Sequence, residues 1–316
     1  MRENPPNWRL VSDPSGSAHD ADRGASGDSP WTVAELLAWT QRRFAQAGLA
    51  SPRVDAEHLL AHALGCSRMQ LYVDHDRVVE PACKSTFREH VKRRLAYEPV
   101  AYIEGRKGFH ALGLELEVDR RVLVPRPETE HLVDWVLEEL RPPPAPPMAV
   151  LDVGTGSGAI ALAIKHARDD VSVTAVDVSE DALAIARRNA DALGLDVHLQ
   201  RSDLCGAIEP PPGGWTAIVA NLPYVSTAAC AELPRDVAEH EPRLALDGGA
   251  DGLDLVRRLI TEAAAPGVLC RGGALYLEIG YDQADRTMEL MQRAGYAEVQ
   301  ARSDYAGIPR IVRGFR

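Results

Sequence analysis

From residue 148 to residue 315, short apolar runs alternate with stretches of helical period, and no other feature constrains the fold as much. Residues 148–153, 171–176, 197–200, 215–220 and 274–279 read as strands. Residues 158–167, 179–193 and 282–294 read as helices, with Ser179 as an N-cap. Strands this uniformly apolar need cover on both faces, which implies a mostly parallel α/β sheet. Two closing runs, 297–302 and 310–315, are joined by a short link and are predicted to pair antiparallel at one edge.

The chain before this region has a different character. Residues 1–30 are rich in Ser, Asp, Gly and Pro and are read as a disordered leader. Order begins at Thr32-Val33-Ala34-Glu35, a capping box followed by Val33, Leu36, Leu37 and Phe44 at helical spacing, with Gly48 placed to end the helix. Ser51-Pro52 opens a second helix with Leu59, Leu60 and Leu64 on its stripe and Gly65 at its end. Further helical stretches cover 67–71 and 81–95, so 31–97 is predicted to be a small helical bundle. Over 98–124, Leu112, Leu114, Leu116 and Val118 alternate with smaller or polar residues. With Phe109 before them and Val122-Leu123-Val124 after, they predict a linker carrying a β-hairpin that bridges two domains. Residues 125–316 form the α/β domain, entered through a stiff extended connector at 142–147.

The first strand–helix turn of the sheet reads Asp152-Val153-Gly154-Thr155-Gly156-Ser157-Gly158. Gly154, Gly156 and Gly158 let the backbone turn tightly and approach a ligand. Asp177 ends the next strand at about the spacing, ~20 residues, of an acid that holds ribose hydroxyls. A dinucleotide seats its pyrophosphate on such a turn, and Asp152 directly before the loop would repel it. S-adenosylmethionine carries a sulfonium and an ammonium and no phosphate, so the loop suits it better. Asp203 follows the third strand and, with Leu204, is placed to meet the adenine.

The fourth strand stops at Asn221-Leu222-Pro223-Tyr224. Ligands bind at the carboxyl ends of such strands, so Asn221 should face the cofactor's methyl group. An amide nitrogen is a poor nucleophile because its lone pair is delocalised. To methylate one, a site must hold both N–H protons. The Asn221 side-chain oxygen can accept one and the Leu222 carbonyl the other, while Tyr224 offers a flat surface to a planar amide or base. Positioning then supplies most of the catalysis.

The glycine loop and the Asn221-Leu222-Pro223-Tyr224 tetrad together resemble S-adenosylmethionine-dependent N-methyltransferases acting on planar nitrogen. Val124–Val136 (VPRPETEHLVDWV), residues 240–260 (HEPRLALDGGADGLDLVRRLI) and 277–283 (LEIGYDQ) narrow the likeness. Over residues 31–316 the chain is similar to the peptide-chain release factor glutamine methyltransferases of PrmC/HemK type. The resemblance implies a small helical substrate-docking domain, a hairpin linker and a Rossmann-like, seven-stranded class I methyltransferase domain. It implies methyl transfer to N5 of the glutamine in the Gly-Gly-Gln motif of class-1 release factors. It implies that Gly154, Thr155, Gly156, Ser157, Gly158, Asp177, Leu204 and Asn221 contact the cofactor. Asn221, Leu222, Pro223 and Tyr224 would hold the glutamine, with Arg126 and Glu128 walling the pocket. The family has Asn-Pro-Pro-Tyr where this chain has Leu222 second, which loses a proline's fixed φ but keeps the carbonyl. Asn-Leu-Pro-Tyr also resembles the tetrad of ribosomal RNA adenine dimethylases, which leaves an adenine-N6 methyltransferase acting on DNA or RNA as the alternative. A fold that binds the cofactor without turnover is a third reading.

Composition separates these readings. The net charge is −11, against the basic balance usual in proteins that grip phosphates, so no direct nucleic-acid partner is expected. The five cysteines are scattered without a C-x-x-C pair and read as free thiols of a reducing cytoplasm. No apolar run is long enough for a membrane span, and the default oligomeric state is a monomer. His58 and His62 are spaced i, i+4 but lack a third ligand, so no metal is expected. His240-Glu241 is read as shaping the loop over the acceptor site, and Ser157 lacks a nucleophile-elbow setting.

Overall fold

The computed structural model describes residues 30–140 and 148–316; the expected leader, apart from Pro30, and the 142–147 connector lie outside the described residues. The chain divides into two compact units, Met1–Glu89 and His90–Arg316.

In the first unit, α1 (Val33–Gln46), α2 (Pro52–Leu64) and α3 (Arg68–Val73) follow the sequence reading, and α4 (Pro81–Leu95) runs across the division. The capping box forms in full: Glu35 N donates to Thr32 Oγ1 (3.3 Å), and Thr32 N to Glu35 Oε2 (3.0 Å). Ser51 takes the N-cap position of α2 without bonding from its side chain, so the start of that helix rests on Pro52 at N1. Val33, Leu36, Phe44, Leu59, Leu60 and Leu71 are buried. Burial pushes the Glu57 carboxyl up, but bonds from Tyr72, Arg68 and Arg53 outweigh it and bring the pKa down to about 2.

The second unit opens with α5 (Val100–Glu104), a turn of helix inside the stretch read as linker. The hairpin that follows pairs β1 (Arg106–Phe109) with β2 (Leu114–Glu117), Phe109 opposite Leu114. The sequence reading placed Leu112 and Val118 in the strand. Instead Leu112 sits exposed in the turn, where His110 and Gly113 both take positive φ, because two left-handed residues reverse the chain there. Val122-Leu123-Val124 joins no strand: Val122 N closes a turn onto Asp119 O (3.0 Å), and Val122 O accepts from the Tyr102 hydroxyl (2.5 Å). The hairpin is tied within its own unit. Glu117 N donates to Asn189 Oδ1 (2.7 Å), and Asn189 Nδ2 donates to Glu117 O (3.1 Å) and to Ser157 O (2.9 Å).

Beyond α6 (Pro127–Glu139) lies the sheet: β3 (Ala149–Val153), β4 (Ser172–Asp177), β5 (His198–Arg201), β6 (Trp215–Ala220), β7 (Leu269–Glu278), β8 (Ala297–Ser303) and β9 (Pro309–Phe315). Their order is β5-β4-β3-β6-β7-β9-β8. The first five are parallel, and β9 runs antiparallel between β7 and β8, so the closing pair does form one edge. Between the strands run α7 (Ala159–Ala167), α8 (Glu180–Leu193), the short α9 (Arg235–Ala238), α10 (Asp254–Ala263) and α11 (Ala284–Arg293). The strand residues alternate between two cores. Val150 packs with Leu132, Trp135 and Leu162, whereas Leu151 and Val153 pack with Leu259, Ile260 and Met291. Helices α6 and α10 were assigned no element from the apolar runs, although α10 buries Val256, Leu259, Ile260 and Ala263 at helical spacing.

The order β4-β3-β6 places the topological switch between β3 and β6, the point at whose carboxyl ends open α/β sheets form their ligand crevice.

Removing the Thr32 hydroxyl tests the start of the helical unit. Thr32→Ala should lower its stability by about 1 kcal/mol, read as a shifted urea midpoint from the fluorescence of Trp31 and Trp39, whose rings meet edge-on at 6.5 Å. Thr32→Ser should restore the midpoint; no shift in Thr32→Ala would mean water satisfies the cap equally well.

Candidate active site

The glycine loop fills the β3 side of the crevice. Gly154 N and Thr155 N both donate to Val176 O at 2.9 Å, which ties the loop to β4. Gly154, Gly156 and Gly158 all have positive φ. A Cβ at Gly158 would collide with Leu162, and one at Gly154 would press on Leu222 Cδ2 at 3.1 Å. At Gly156 a Cβ would meet open space, so that glycine faces room a ligand can take.

Asp152 acts differently from its sequence reading. It is fully buried, and its Oδ2 accepts from Thr155 Oγ1 (2.6 Å) and from Ala161 N (3.2 Å). Burial pushes its pKa up to about 7. The carboxyl therefore braces the loop onto α7 from inside and presents no surface to a ligand. Asp177 is the acid that reaches the crevice. Half-buried at the end of β4, it accepts from Gly156 N (3.0 Å) and Ser179 N (2.9 Å), and burial raises its pKa against those bonds. Asp203 is exposed, and its Oδ2 is ion-paired to Arg258 (2.9 Å). Leu204 is buried with φ +50, an uncommon backbone for a leucine, and its side chain fills the core beside Leu151 and Val176.

The bonds made by Gly154, Thr155, Gly156 and Ser157 run to a carbonyl, two carboxylates and an amide. Of these groups only the Asp177 carboxylate is not fully buried; it can accept from hydroxyls and tolerates a cation, and the loop from Gly154 to Gly158 offers no lysine or arginine to a phosphate. It fits S-adenosylmethionine.

On the β6 side, Asn221 follows the strand end, half-buried, and its Nδ2 donates to Thr129 Oγ1 at 3.1 Å. That leaves Oδ1 as the free edge of the amide. Leu222 turns its side chain inward against Gly154. Tyr224 is half-buried, and burial together with Glu278 and Glu128 pushes its hydroxyl up to about 12, opposed by Arg310 and Arg126.

The tetrad's backbone is gripped from behind. Gln283 Nε2 donates to Tyr224 O (2.9 Å), and Gln283 Oε1 accepts from Gly280 N (2.9 Å). Gly248 and Gly252 lie so close that a Cβ on either would overlap the carbonyls of Pro223 and Tyr224. Arg126, the N-cap residue of α6, donates to both oxygens of buried Glu241 (2.7 and 2.9 Å). Burial raises the Glu241 pKa, and Arg126 opposes it. The neighbouring His240 Nε2 lies 2.9 Å from Ala96 O, which pins the same loop. Glu128 sits in the first turn of α6, half-buried.

Sequence reasoning named the tetrad, the loop, Arg126 and Glu128, but not Thr129, Asn189, Gly248, Gly252, Glu278 or Gln283 as individual residues. Glu278 carried a readable signal, an acid closing the apolar run Leu275-Tyr276-Leu277, and it is buried. The others act across large sequence separations and carried none.

Known proteins are similar to this chain. Residues 35–105 match the family described as the PrmC N-terminal domain, and residues 150–240 match a methyltransferase domain. The release factor glutamine methyltransferase of Rhodopirellula baltica is 44% identical over 292 residues, covering 91% of this chain and 97% of its own. This chain belongs to the release factor glutamine methyltransferase family. The Geobacter sulfurreducens release factor glutamine methyltransferase is 39% identical over 286 residues, 90% of this chain and 96% of its own. The hMettl16 catalytic domain, solved in complex with a 3'UTR hairpin, superposes with a TM-score of 0.52 at 13% identity, over 76% of this chain and 84% of that one, and shares the fold alone. As a class I enzyme of the release factor glutamine methyltransferase family, the chain uses S-adenosylmethionine.

The grip on the tetrad predicts a phenotype remote from the reacting atoms. Gly252→Ala adds a Cβ at φ +76 against the Tyr224 carbonyl. Displacing that carbonyl should cost about 100-fold in methyl transfer while calorimetric cofactor binding persists. Unimpaired transfer by this variant would show that the backbone behind Tyr224 does not set the acceptor geometry.

Proposed function

We infer that this chain transfers a methyl group from S-adenosylmethionine to N5, the side-chain nitrogen, of the glutamine in the Gly-Gly-Gln motif of class-1 peptide chain release factors. The observation that carries this reading is the Asn221 amide, turned with Nδ2 on Thr129 and Oδ1 free, beside the glycine loop at the switch of the sheet. It is supported by relatives of up to 44% identity across nearly the whole chain, named for this activity.

Gly154, Thr155, Gly156, Ser157, Gly158, Asp177, Leu204 and Asn221 hold the cofactor in this reading, with Asp177 accepting from the ribose hydroxyls. Bound there, S-adenosylmethionine supplies a methyl group activated by a sulfonium. The chain's own residues prepare the acceptor. Asn221 Oδ1 accepts one N–H of the incoming glutamine amide and the Leu222 carbonyl accepts the other. The nitrogen is thereby turned so that its lone pair faces the methyl. Tyr224 lies along the amide plane, and Pro223 keeps Leu222 extended so that its carbonyl points at the substrate. Arg126, held by Glu241, and Glu128 wall the pocket. A general base is not needed before transfer, because the proton leaves once the product is cationic.

The unit matched by the PrmC N-terminal domain docks the release factor. Among the described residues no helix is long and apolar enough to cross a membrane, in keeping with action on a translation factor in the cytoplasm. The enzyme works without a nucleic-acid partner, a reading supported by its net charge of −11, and its default state in this reading is a monomer.

Incubation of the full chain with S-adenosylmethionine and an unmodified class-1 release factor should add one methyl group to the Gly-Gly-Gln glutamine, detected by peptide mass spectrometry. Asn221→Ala should lower the rate by at least about 100-fold. A bound cofactor with no methyl gained by the release factor, or methyl gained by an adenine-containing oligonucleotide instead, would overturn the assignment.

A further inference from the structure

We propose that Tyr305 and Tyr281 form a docking surface for the protein substrate, the part of the release factor that flanks the acceptor glutamine. The proposal rests on the reading of Asn221 and its tetrad as the acceptor site.

Among the described residues of the second unit, the exposed large hydrophobic side chains are Leu112, Val178, Leu244, Tyr281 and Tyr305. Leu112 sits in the hairpin turn. The other four lie in connections at one end of the sheet. Val178 follows β4, Leu244 belongs to the loop from β6 to α10, and Tyr281 follows β7. Tyr305 is in the turn from β8 to β9, and β9 runs antiparallel to β7, so that turn lies at the carboxyl end of β7. Ile279 N donates to Arg310 O at 2.9 Å and ties the two connections together. Scattered apolar residues need no partner, but four on the one face where ligands bind mark a contact surface. Of the four, Tyr305 (95% exposed) and Tyr281 (71%) are the largest and the most exposed.

Both tyrosines are continuous with the acceptor site. The register of β6, β7 and β9 sets Ala220 beside Leu277 and Glu278 beside Ile311. Asn221 is thus two strand spacings, about 10 Å, from the start of β9. Tyr281 follows Gly280, whose N–H donates to Gln283 Oε1, and the same Gln283 holds the Tyr224 carbonyl. From the other side, α6 bridges the tetrad and Tyr305. Its Thr129 bonds Asn221 Nδ2, and its His131 meets the Tyr305 ring edge-on with centroids 4.3 Å apart. His131 lies one turn beyond Glu128 on the same face of the helix, and Glu128 walls the pocket.

The turn that carries Tyr305 is held rigid from within. Asp304 Oδ1 accepts from Ala306 N (2.9 Å) and Ile308 N (3.0 Å), Arg310 Nε donates to Asp304 Oδ2 (3.1 Å), and Asp304 N donates to Ile308 O (2.8 Å). None of these bonds uses Tyr305, so the turn presents the ring without depending on it. A group already held in place loses little freedom on binding. The occupant follows from the acceptor. The glycine loop and Asp177 take the β3–β4 half of this face for the cofactor, which leaves the β7–β9 half to the substrate. In a Gly-Gly-Gln motif the two residues before the glutamine have no side chain to hold. A bare backbone is gripped by flat rings that pack on peptide planes and by hydroxyls that bond to peptide groups, and tyrosine supplies both.

The test compares kcat and KM for an unmodified release factor in the full chain and its variants, with cofactor affinity read by calorimetry. Tyr305→Ala and Tyr281→Ala should each raise the KM for the release factor about 10-fold, and the double variant about 100-fold, with kcat and cofactor affinity unchanged. Tyr305→Phe, which keeps the ring, should restore most of the loss. Leu112→Ala, which removes an exposed apolar group away from this face, should keep the wild-type KM. Both tyrosine rings stand in water, so their removal leaves the core intact. If the wild-type chain adds no methyl to the release factor, the functional reading fails and the proposal with it. If it does and both tyrosine variants keep the wild-type KM, or Leu112→Ala raises KM as much as they do, the docking surface alone is overturned. A wild-type dimer that Tyr305→Ala dissociates would assign the surface to a second copy of this chain and overturn the proposal equally.

Discussion

The register between β3 and β6 sets the chemistry of the site. The two strands pair in parallel with Val153 opposite Ala220, so Gly154 and Asn221, the residues that follow, emerge side by side. No loop has to reach for the other. The cofactor loop and the acceptor tetrad start from adjacent strand ends, and a Cβ at Gly154 would stand 4.0 Å from the Asn221 carbonyl. A slip of one residue would turn every side chain of the strand to the opposite face, so the burial that specifies the sheet also specifies the distance between the glycine loop and the tetrad.

Three buried acids surround this crevice, and each is handled by different chemistry. Asp152 is held by a hydroxyl and a backbone N–H and Glu241 by the Arg126 guanidinium, whereas Glu278 Oε2 has no hydrogen-bond partner. Burial raises the pKa of all three. An acid whose pKa is higher in the folded state binds protons more tightly there than in the unfolded chain. Its contribution to stability is therefore fully favourable only below the ordinary carboxylate range and is lost as pH rises towards the folded value, about 7 for Asp152 and Glu278. These groups cost stability at neutral pH. What two of them return is geometry: Asp152 braces the glycine loop and Glu241 anchors Arg126.

Leu222 stands where the resemblance read from the sequence implies a proline, and packing holds it in place without a proline's backbone restraint. Its side chain is 4% exposed and rests on Gly154, within the core that includes Leu151 and Ile218. Burying a leucine is worth about 1.5–3 kcal/mol, enough to hold the tetrad's second residue in one place without a fixed φ. The carbonyl that the chemistry uses is unaffected by the exchange. The contact also couples the two halves of the site, since the residue that presents the acceptor carbonyl leans on the first glycine of the cofactor loop.

How much of this was written locally can be read from particular residues. The capping box at Thr32, the N-cap at Ser179, the strand 215–220 and the antiparallel closing pair follow from period and neighbouring residues, and the sequence placed them. The hairpin was legible as a hairpin but displaced, because alternation continues through Leu112 while the left-handed backbone at His110 and Gly113 breaks the strand there. Asp152 looked like a ligand-facing charge, since its full burial depends on α7 and β6 packing around it. Sequence by itself determined the sheet strands, most of the helices, the glycine loop and the Asn221 tetrad, because these are short-range patterns of polarity and backbone freedom, while α5, α6 and α10 went unassigned. Only the tertiary structure decided what stands behind them: Thr129 is 92 residues from Asn221, Glu241 is 115 from Arg126, and Gln283 is 59 from Tyr224. A hydrogen bond across such a span is fixed by strand order and register, and nothing in the local sequence encodes its partner.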